Sequence, residues 1–239
     1  MKKRLGILGG MGPMATADLY AKIVALTDAD SDNDHIRVII DSNTAIPDRT
    51  SAILSDGADP VPEMLSAAKK LVACGAECII MPCNTAHYFL PELQPQIPVP
   101  ILDMTRTAAE RCAALYPGKK TAILATRGTL ASGIYARALD GCGVGYVIPD
   151  EAEQKVLMHL IYNVVKASKP LCPEKPLWSS LLEGLRRKGA DYFLLACTEL
   201  PILSDHLAVP GPFIDATEEL AKAAIEYCGY KAKQDHISL

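Results

Sequence analysis

Three blocks of this chain recur, in the same order, a little over a hundred residues further on. Gly6-Ile7-Leu8-Gly9-Gly10 lines up with Ala122-Ile123-Leu124-Ala125-Thr126, 116 residues later. The stretch from Gly75 to Thr85 lines up with Gly189 to Glu199 at an offset of 114, and Ile101-Leu102-Asp103-Met104-Thr105 with Phe213-Ile214-Asp215-Ala216-Thr217 at 112. One such match is unremarkable, but three collinear ones at nearly one offset imply a duplicated half. The chain has 239 residues, room for two small domains.

Within each half, short apolar runs alternate with longer amphipathic stretches. The runs are Leu5 to Leu8, Ile36 to Ile40, Cys78 to Met81, Val99 to Leu102, Thr121 to Leu124, Tyr146 to Ile148, Tyr192 to Leu195, and Phe213 to Ile214. Alternation of this kind predicts parallel sheets with helices on both faces. A helix is expected from Asp59-Pro60 to Gly75 and another over Glu151 to Ala167, followed by a loop marked by Pro170, Pro173 and Pro176. The fold class is therefore α/β, in two pseudo-symmetric halves. Each is expected to be a roughly four-stranded parallel sheet flanked by helices, with the active site in the cleft between them. The halves are placed at 1–102 and 103–214, and a closing helix over about 215–230 is expected to pack back on the first.

A formal charge of −4 gives no overall basic field of the kind nucleic-acid binding relies on. No apolar run approaches the roughly 18 residues of a membrane span. The start, Met1-Lys2-Lys3-Arg4, is basic, but Gly9-Gly10-Met11-Gly12-Pro13 breaks the apolar stretch behind it, so a signal peptide is not expected. Eight cysteines spread through such a chain read as reduced thiols in a cytoplasmic protein.

Two of those cysteines stand apart by position. Cys83 follows Ile79-Ile80-Met81-Pro82, and Cys197 follows Phe193-Leu194-Leu195-Ala196, so each falls at the carboxyl end of a strand, where open parallel sheets bind ligands. Asn84 and Thr198 are expected to cap the helices that follow. A helix N-terminus beside a thiol lowers its pKa from about 8.5. Two equivalent thiols on opposite sides of one cleft suit the transfer of a proton from one face of a carbon to the other. One thiolate takes the α-proton of an amino acid and the opposite thiol returns one, inverting the centre. That chemistry also needs anion contacts for the substrate carboxylates.

The motifs Gly9-Gly10-Met11-Gly12-Pro13-Met14-Ala15-Thr16, Asn43 with Ile46-Pro47-Asp48-Arg49-Thr50, Met81-Pro82-Cys83-Asn84-Thr85-Ala86-His87, and Ala196-Cys197-Thr198-Glu199-Leu200 together resemble the cofactor-independent aspartate racemases of the aspartate/glutamate racemase family. The resemblance runs from Leu5 to about Thr217. Glutamate racemases are similar but open on Asp-Ser-Gly, carry Ser where this chain has His87, and have His where it has Glu199. The resemblance implies that Cys83 and Cys197 are the two acid/base groups, with Cys197 taking the proton from the L-enantiomer and Cys83 from the D-enantiomer. It implies that Asn84, Thr85 and Thr198 hold the α-carboxylate and amino group, that Arg49 pairs with a carboxylate, and that Lys166 is the second cation. Met11, Thr126 and Glu199 complete the expected substrate site. It also implies no pyridoxal phosphate, no metal, a small dicarboxylic amino acid as substrate, and a homodimer. A hydantoin racemase or maleate isomerase would keep the thiols and change the substrate contacts; a non-catalytic small-acid-binding protein would need neither thiol.

Plainer readings stand beside these. Cys74, Cys78, Cys83 and His87 have a spacing that suggests zinc, but Cys74 and Cys78 are expected at the opposite end of the strand from Cys83. The glycine turn lacks the Gly-x-Gly-x-x-Gly spacing of a dinucleotide loop. Arg49 lies in a polar stretch and suits a solvated loop, while Lys166 near a helix end suits the helix dipole. His87 and Glu199 either tune the thiol before them or cap and pack. His159 and Trp178 are expected to pack in the core.

Overall fold

A computed structural model of the chain describes residues 2–233; Met1, at the head of the basic start, lies outside them. In the first parallel sheet β1 (Leu5–Gly9) is central, flanked by β2 (Val38–Ser42) and β3 (Cys78–Ile80). Ile7 pairs with Ile40 on one side and Ile80 on the other. Around this sheet run α1 (Pro13–Leu26), the short α2 (Arg49–Leu54), α3 (Val61–Ala73) and α4 (Leu90–Leu93). The second strand starts two residues later than its apolar run, because a 3₁₀ turn at Asp32–Asp34 leads in and pairing with β1 begins at Val38.

The fourth strand expected at Val99 to Leu102 is reduced to a single parallel bridge between Ile79 and Ile101. Pro98 and Pro100 have no N–H for a ladder, and Asp103 then caps α5 (Met104–Leu115) by accepting from the Thr105 and Arg106 N–H groups.

The second sheet has the order β5 (Gly145–Val147), β4 (Lys120–Leu124), β6 (Tyr192–Leu195), β7 (Phe213–Asp215), all parallel. This repeats the first sheet, with β4 in the place of β1, β6 in that of β3 and β7 in that of the Ile101 bridge. Even single bonds recur: Ile79 N–H donates to Pro100 O at 2.9 Å, and Phe193 N–H to Pro212 O at 3.0 Å. Its helices are α6 (Arg127–Ser132), α7 (Ile134–Gly141), α8 (Glu151–Met158), α9 (Lys175–Arg187), α10 (Glu199–Leu207) and α11 (Ala216–Tyr227).

Strands β1, β3 and β6 are buried throughout, so their sequences read as continuous apolar runs. Leu5, Ile7, Cys78 and Ile80 share one core with Ile123, Tyr192 and Leu194, which joins the two sheets through α1, α5, α7 and α11. The outer faces are covered separately, the first by Met64 and Leu71, the second by Leu160, Leu182 and Trp178. Trp178 is packed as expected. After α11, the chain pairs Ala232 with Thr27 beyond α1, and Lys3 N–H donates to Cys228 O at 2.9 Å.

The long helix expected over Glu151 to Ala167 is not regular. It leaves α geometry after Met158 for a π-helical turn at His159–Val165, closed by Lys166 N–H donating to Ile161 O at 2.9 Å. The wider turn leaves His159 half-exposed, 3.6 Å from the Glu174 carboxylate, instead of packed in the core as its apolar neighbours suggest. Among the described residues no helix is long and apolar enough to cross a membrane.

Candidate active site

The two sheets end on the same space. Cys83 lies three residues past β3 and Cys197 two past β6, and both line one narrow cavity. It encloses about 270 Å³ of empty space, little of it wide enough for a water molecule. All ten residues expected at the site face it: the two thiols together with Met11, Arg49, Asn84, Thr85, Thr126, Lys166, Thr198 and Glu199. The thiols are 7% and 5% exposed, and the polar residues Arg49, Asn84, Thr85, Thr126, Thr198 and Glu199 are buried with them. Burial of so many polar groups in one place marks a site built for a polar ligand.

Neither expected cap forms. Asn84 precedes only a 3₁₀ turn, Thr85–Phe89, and its side chain makes no capping bond; Thr198 stands at the head of α10 without one either. Both side chains bond other side chains instead. Asn84 Oδ1 accepts from the Tyr135 hydroxyl, and Thr198 Oγ1 donates to Glu199 Oε2 at 3.2 Å.

On the Cys197 side, Sγ donates to Glu199 Oε2 at 3.0 Å, and Lys166 Nζ lies 3.6 Å from Glu199 Oε1. Burial, and then the neighbouring Glu199 charge, push the Cys197 thiol well above its ordinary value. This overturns the expectation that the helix N-terminus lowers it, because burial, together with a carboxylate at hydrogen-bond distance, outweighs the partial charge of the helix end. Burial pulls Lys166 down, but Glu199 and the two thiols hold it above its usual range, so it stays charged. Lys166 Nζ also sits 4.7 Å over the Tyr162 ring.

On the Cys83 side the fixed charge is Arg49. Its Nη1 donates to Ile46 O and Pro47 O at 3.1 and 2.8 Å, and Nη2 to Met11 O at 3.1 Å. Nε is buried without a hydrogen-bond partner among the described residues. Burial alone lowers the guanidinium, yet the adjacent Cys83 and Asp48 hold it above its ordinary value. Arg49 is thus a clip that ties the glycine turn after β1 to the 46–47 loop, and not a solvated loop arginine. His87 bonds the Cys83 carbonyl through Nδ1 at 3.0 Å and faces Leu102 O at 3.4 Å through Nε2; burial pulls it below its usual value, so the ring is neutral and positions the backbone.

Thr85, Thr126 and Thr129 close a hydroxyl triangle of 3.0, 2.8 and 3.1 Å across the first and second halves. Three further cavity residues, Asp48, Thr50 and Tyr162, had not been singled out. The Tyr162 hydroxyl bridges Asp48 Oδ2 at 3.1 Å and Thr50 Oγ1 at 3.2 Å, joining the π-helical turn to the head of α2. Asp48 and Thr50 flank Arg49 in a motif already noted, which was the available signal. Tyr162 sat in an apolar helix pattern with no local mark.

The family model for the Asp/Glu/hydantoin racemases matches residues 8–224. The chain belongs to the Asp/Glu/hydantoin racemase family. Members of this family are isomerases, and the relatives agree. The broad specificity amino-acid racemase RacX of Bacillus subtilis (strain 168) is 30% identical over 95% of this chain and 100% of its own. Among solved structures, the Picrophilus torridus aspartate racemase is 32% identical with a TM-score of 0.82, covering 97% of this chain and 96% of that one. An aspartate racemase homologue from Pyrococcus horikoshii OT3 is 26% identical with a TM-score of 0.76, over 95% and 99% of the two chains. The racemase fold accounts for two parallel sheets closing on a shared polar cavity.

Proposed function

We propose that this chain is a cofactor-independent racemase of acidic amino acids, aspartate first, in which Cys83 and Cys197 exchange the Cα proton. The observation that carries the reading is the placement of two equivalent thiols, one from each half, in a single buried cavity with Arg49 and Lys166. On this reading the halves at 1–102 and 103–214 are the two walls of the site. Cys197 takes the proton of the L-enantiomer and Cys83 that of the D-enantiomer, while each returns a proton for the other direction. Negative charge that develops on the substrate carboxylate meets Arg49, Lys166 and the buried N–H donor of Asn84. The similarity to the Picrophilus torridus aspartate racemase supports the choice of substrate.

The charges of the cavity favour a second reading of its scope. Arg49 and Lys166 are offset by Asp48 and Glu199, so the site is not a purely cationic pocket for two carboxylates. A neighbouring cavity walled by Pro13, Met14, Ala17 and Val165 shares Lys166 and Glu199 with it. That apolar annexe gives room for larger, less acidic side chains, in keeping with the broad specificity racemase among the relatives.

The test is proton NMR in D₂O of reduced, chelator-treated protein with L-aspartate, L-glutamate and a panel of neutral L-amino acids, followed by chiral analysis. Deuterium at Cα with appearance of the D-form is expected for aspartate; exchange confined to neutral side chains would replace the first reading by the second. Cys197→Ala is expected to lose exchange from the L-form and Cys83→Ala from the D-form, with neither variant racemising. Full activity in either variant would end the two-thiol mechanism.

A further inference from the structure

The Asn84 carboxamide is held from behind by a residue outside the cavity. Tyr135, at the start of α7, is 1% exposed and belongs to the core that joins the two sheets. Its hydroxyl donates to Asn84 Oδ1. Asn84 is itself 2% exposed, and its Nδ2 is buried with no partner among the described residues. Buried donors without partners are rare in folded proteins, and this one belongs to a residue that lines the cavity beside Cys83.

A carboxamide has two orientations that differ only in which end accepts and which donates. A phenol donating to Oδ1 selects one of them and turns the two Nδ2 protons the other way. In the reversed orientation Oδ1 would meet the substrate, and an oxygen there repels a carboxylate. Burial, and then the charges of Asp103 and Cys112, push the Tyr135 phenol well above its ordinary value, so it remains a donor throughout the working pH range.

We propose that Tyr135 is a positioning residue of the racemase site, fixing the Asn84 carboxamide so that Nδ2 donates to a carboxylate of the substrate. The proposal rests on the reading of this cavity as the racemase site. It assigns to α7 of the second half the orientation of a group that stands next to the thiol of the first, and so makes the donor array depend on the two walls being in register.

The experiment is a double-mutant cycle on kcat/KM with aspartate, using Tyr135→Phe, Asn84→Ala and the double variant, with melting temperatures of all four proteins. Phe keeps the ring and removes only the hydroxyl. Tyr135→Phe is expected to lower kcat/KM about tenfold, chiefly through a higher KM, and the double variant to be no worse than Asn84→Ala alone. Losses that multiply, or an unchanged kcat/KM in Tyr135→Phe, would overturn the proposal. A wild-type protein with no exchange at all would instead overturn the racemase reading. A second measurement covers the case in which Phe is not tolerated. The side-chain N–H pair of Asn84 in wild-type protein, identified by its loss in Asn84→Asp, is expected to shift on addition of malonate, a dicarboxylate that cannot racemise. A pair that ignores saturating malonate counts against the proposal.

Discussion

Cys197 Sγ donates to Glu199 Oε2 across 3.0 Å, so the thiol of the second half rests against a carboxylate of its own wall. Thr198 donates to the same oxygen, and Lys166 faces the other. The arrangement favours the thiol form of Cys197 over the thiolate and keeps the charge of Lys166 compensated inside a buried site. It is also asymmetric, because the fixed charge beside Cys83 is Arg49.

Glu199→Gln keeps the hydrogen-bonding shape and removes the charge. Since burial and Glu199 together raise the Cys197 pKa, the variant should ionise Cys197 at lower pH. Alkylation of Cys197 by iodoacetamide, followed by mass spectrometry against pH, is expected to move to lower pH. An unshifted alkylation profile would mean that burial alone sets the thiol.

Arg49→Ala should damage both stability and catalysis, which the polar sequence around Arg49 did not suggest. Its guanidinium satisfies carbonyls of Met11, Ile46 and Pro47, and removing it takes the donor from three acceptors, two of them buried and one part-buried. At about 1–3 kcal/mol for such a group, partly relieved by water, the loss is about 2–4 kcal/mol by urea denaturation. Arg49→Lys should recover little, because an ammonium lacks the planar fork that spans the three oxygens. A lysine variant with wild-type stability and turnover would reduce Arg49 to a simple charge.

Tyr162 has two separable tasks. Its ring lies under Lys166 and its hydroxyl bridges Asp48 and Thr50, with burial pushing the phenol up to about 12. Tyr162→Phe keeps the first task and loses the second, so kcat/KM is expected to fall about five- to tenfold at unchanged fold, as for a lost hydrogen bond or two of about 1 kcal/mol. Tyr162→Ala also frees Lys166 and should cost at least tenfold more. Equal kinetics for Phe and Ala would show that the ring contact does nothing for Lys166.

Much of this was legible because buried parallel strands are written as plain apolar runs and because a duplicated sequence states the same topology twice. Cys83 and Cys197 could be paired in advance since strand ends in such sheets open on one side. The run Val99 to Leu102 misled, as Pro98 before it and Pro100 within it limit pairing to Ile101. The helix-end argument for a low thiol pKa failed at Cys197, because the thiol is buried and Glu199 reaches Sγ by a side-chain conformation that spacing alone does not specify. Tyr135 and Tyr162 were invisible for a related reason. Their hydroxyls act on Asn84, Asp48 and Thr50, which lie 51, 114 and 112 residues away in the chain and meet them only after folding.

The duplication also sets up a comparison of stability with pH. Asp103 and Asp215 occupy equivalent caps, of α5 and α11, but burial lifts Asp215 to about 6 against the opposing pull of Lys22, whose Nζ is 3.2 Å away. A carboxyl whose folded pKa exceeds the unfolded value of about 3.9 binds its proton more tightly in the native state. Its contribution to stability is therefore complete below about pH 4 and is lost as pH rises through 6. Asp215→Asn still offers an oxygen to the Thr217 N–H and does not titrate. Between pH 4 and 7 the melting temperature of the wild type should drop relative to that of Asp215→Asn. The shift over that range corresponds to about 2 kcal/mol, or roughly 4–8 °C for a chain of this size. Melting curves measured at half-unit intervals that run parallel for the two proteins would mean that Lys22 fully compensates the buried carboxylate and that the cap of α11 is charged at every pH tested.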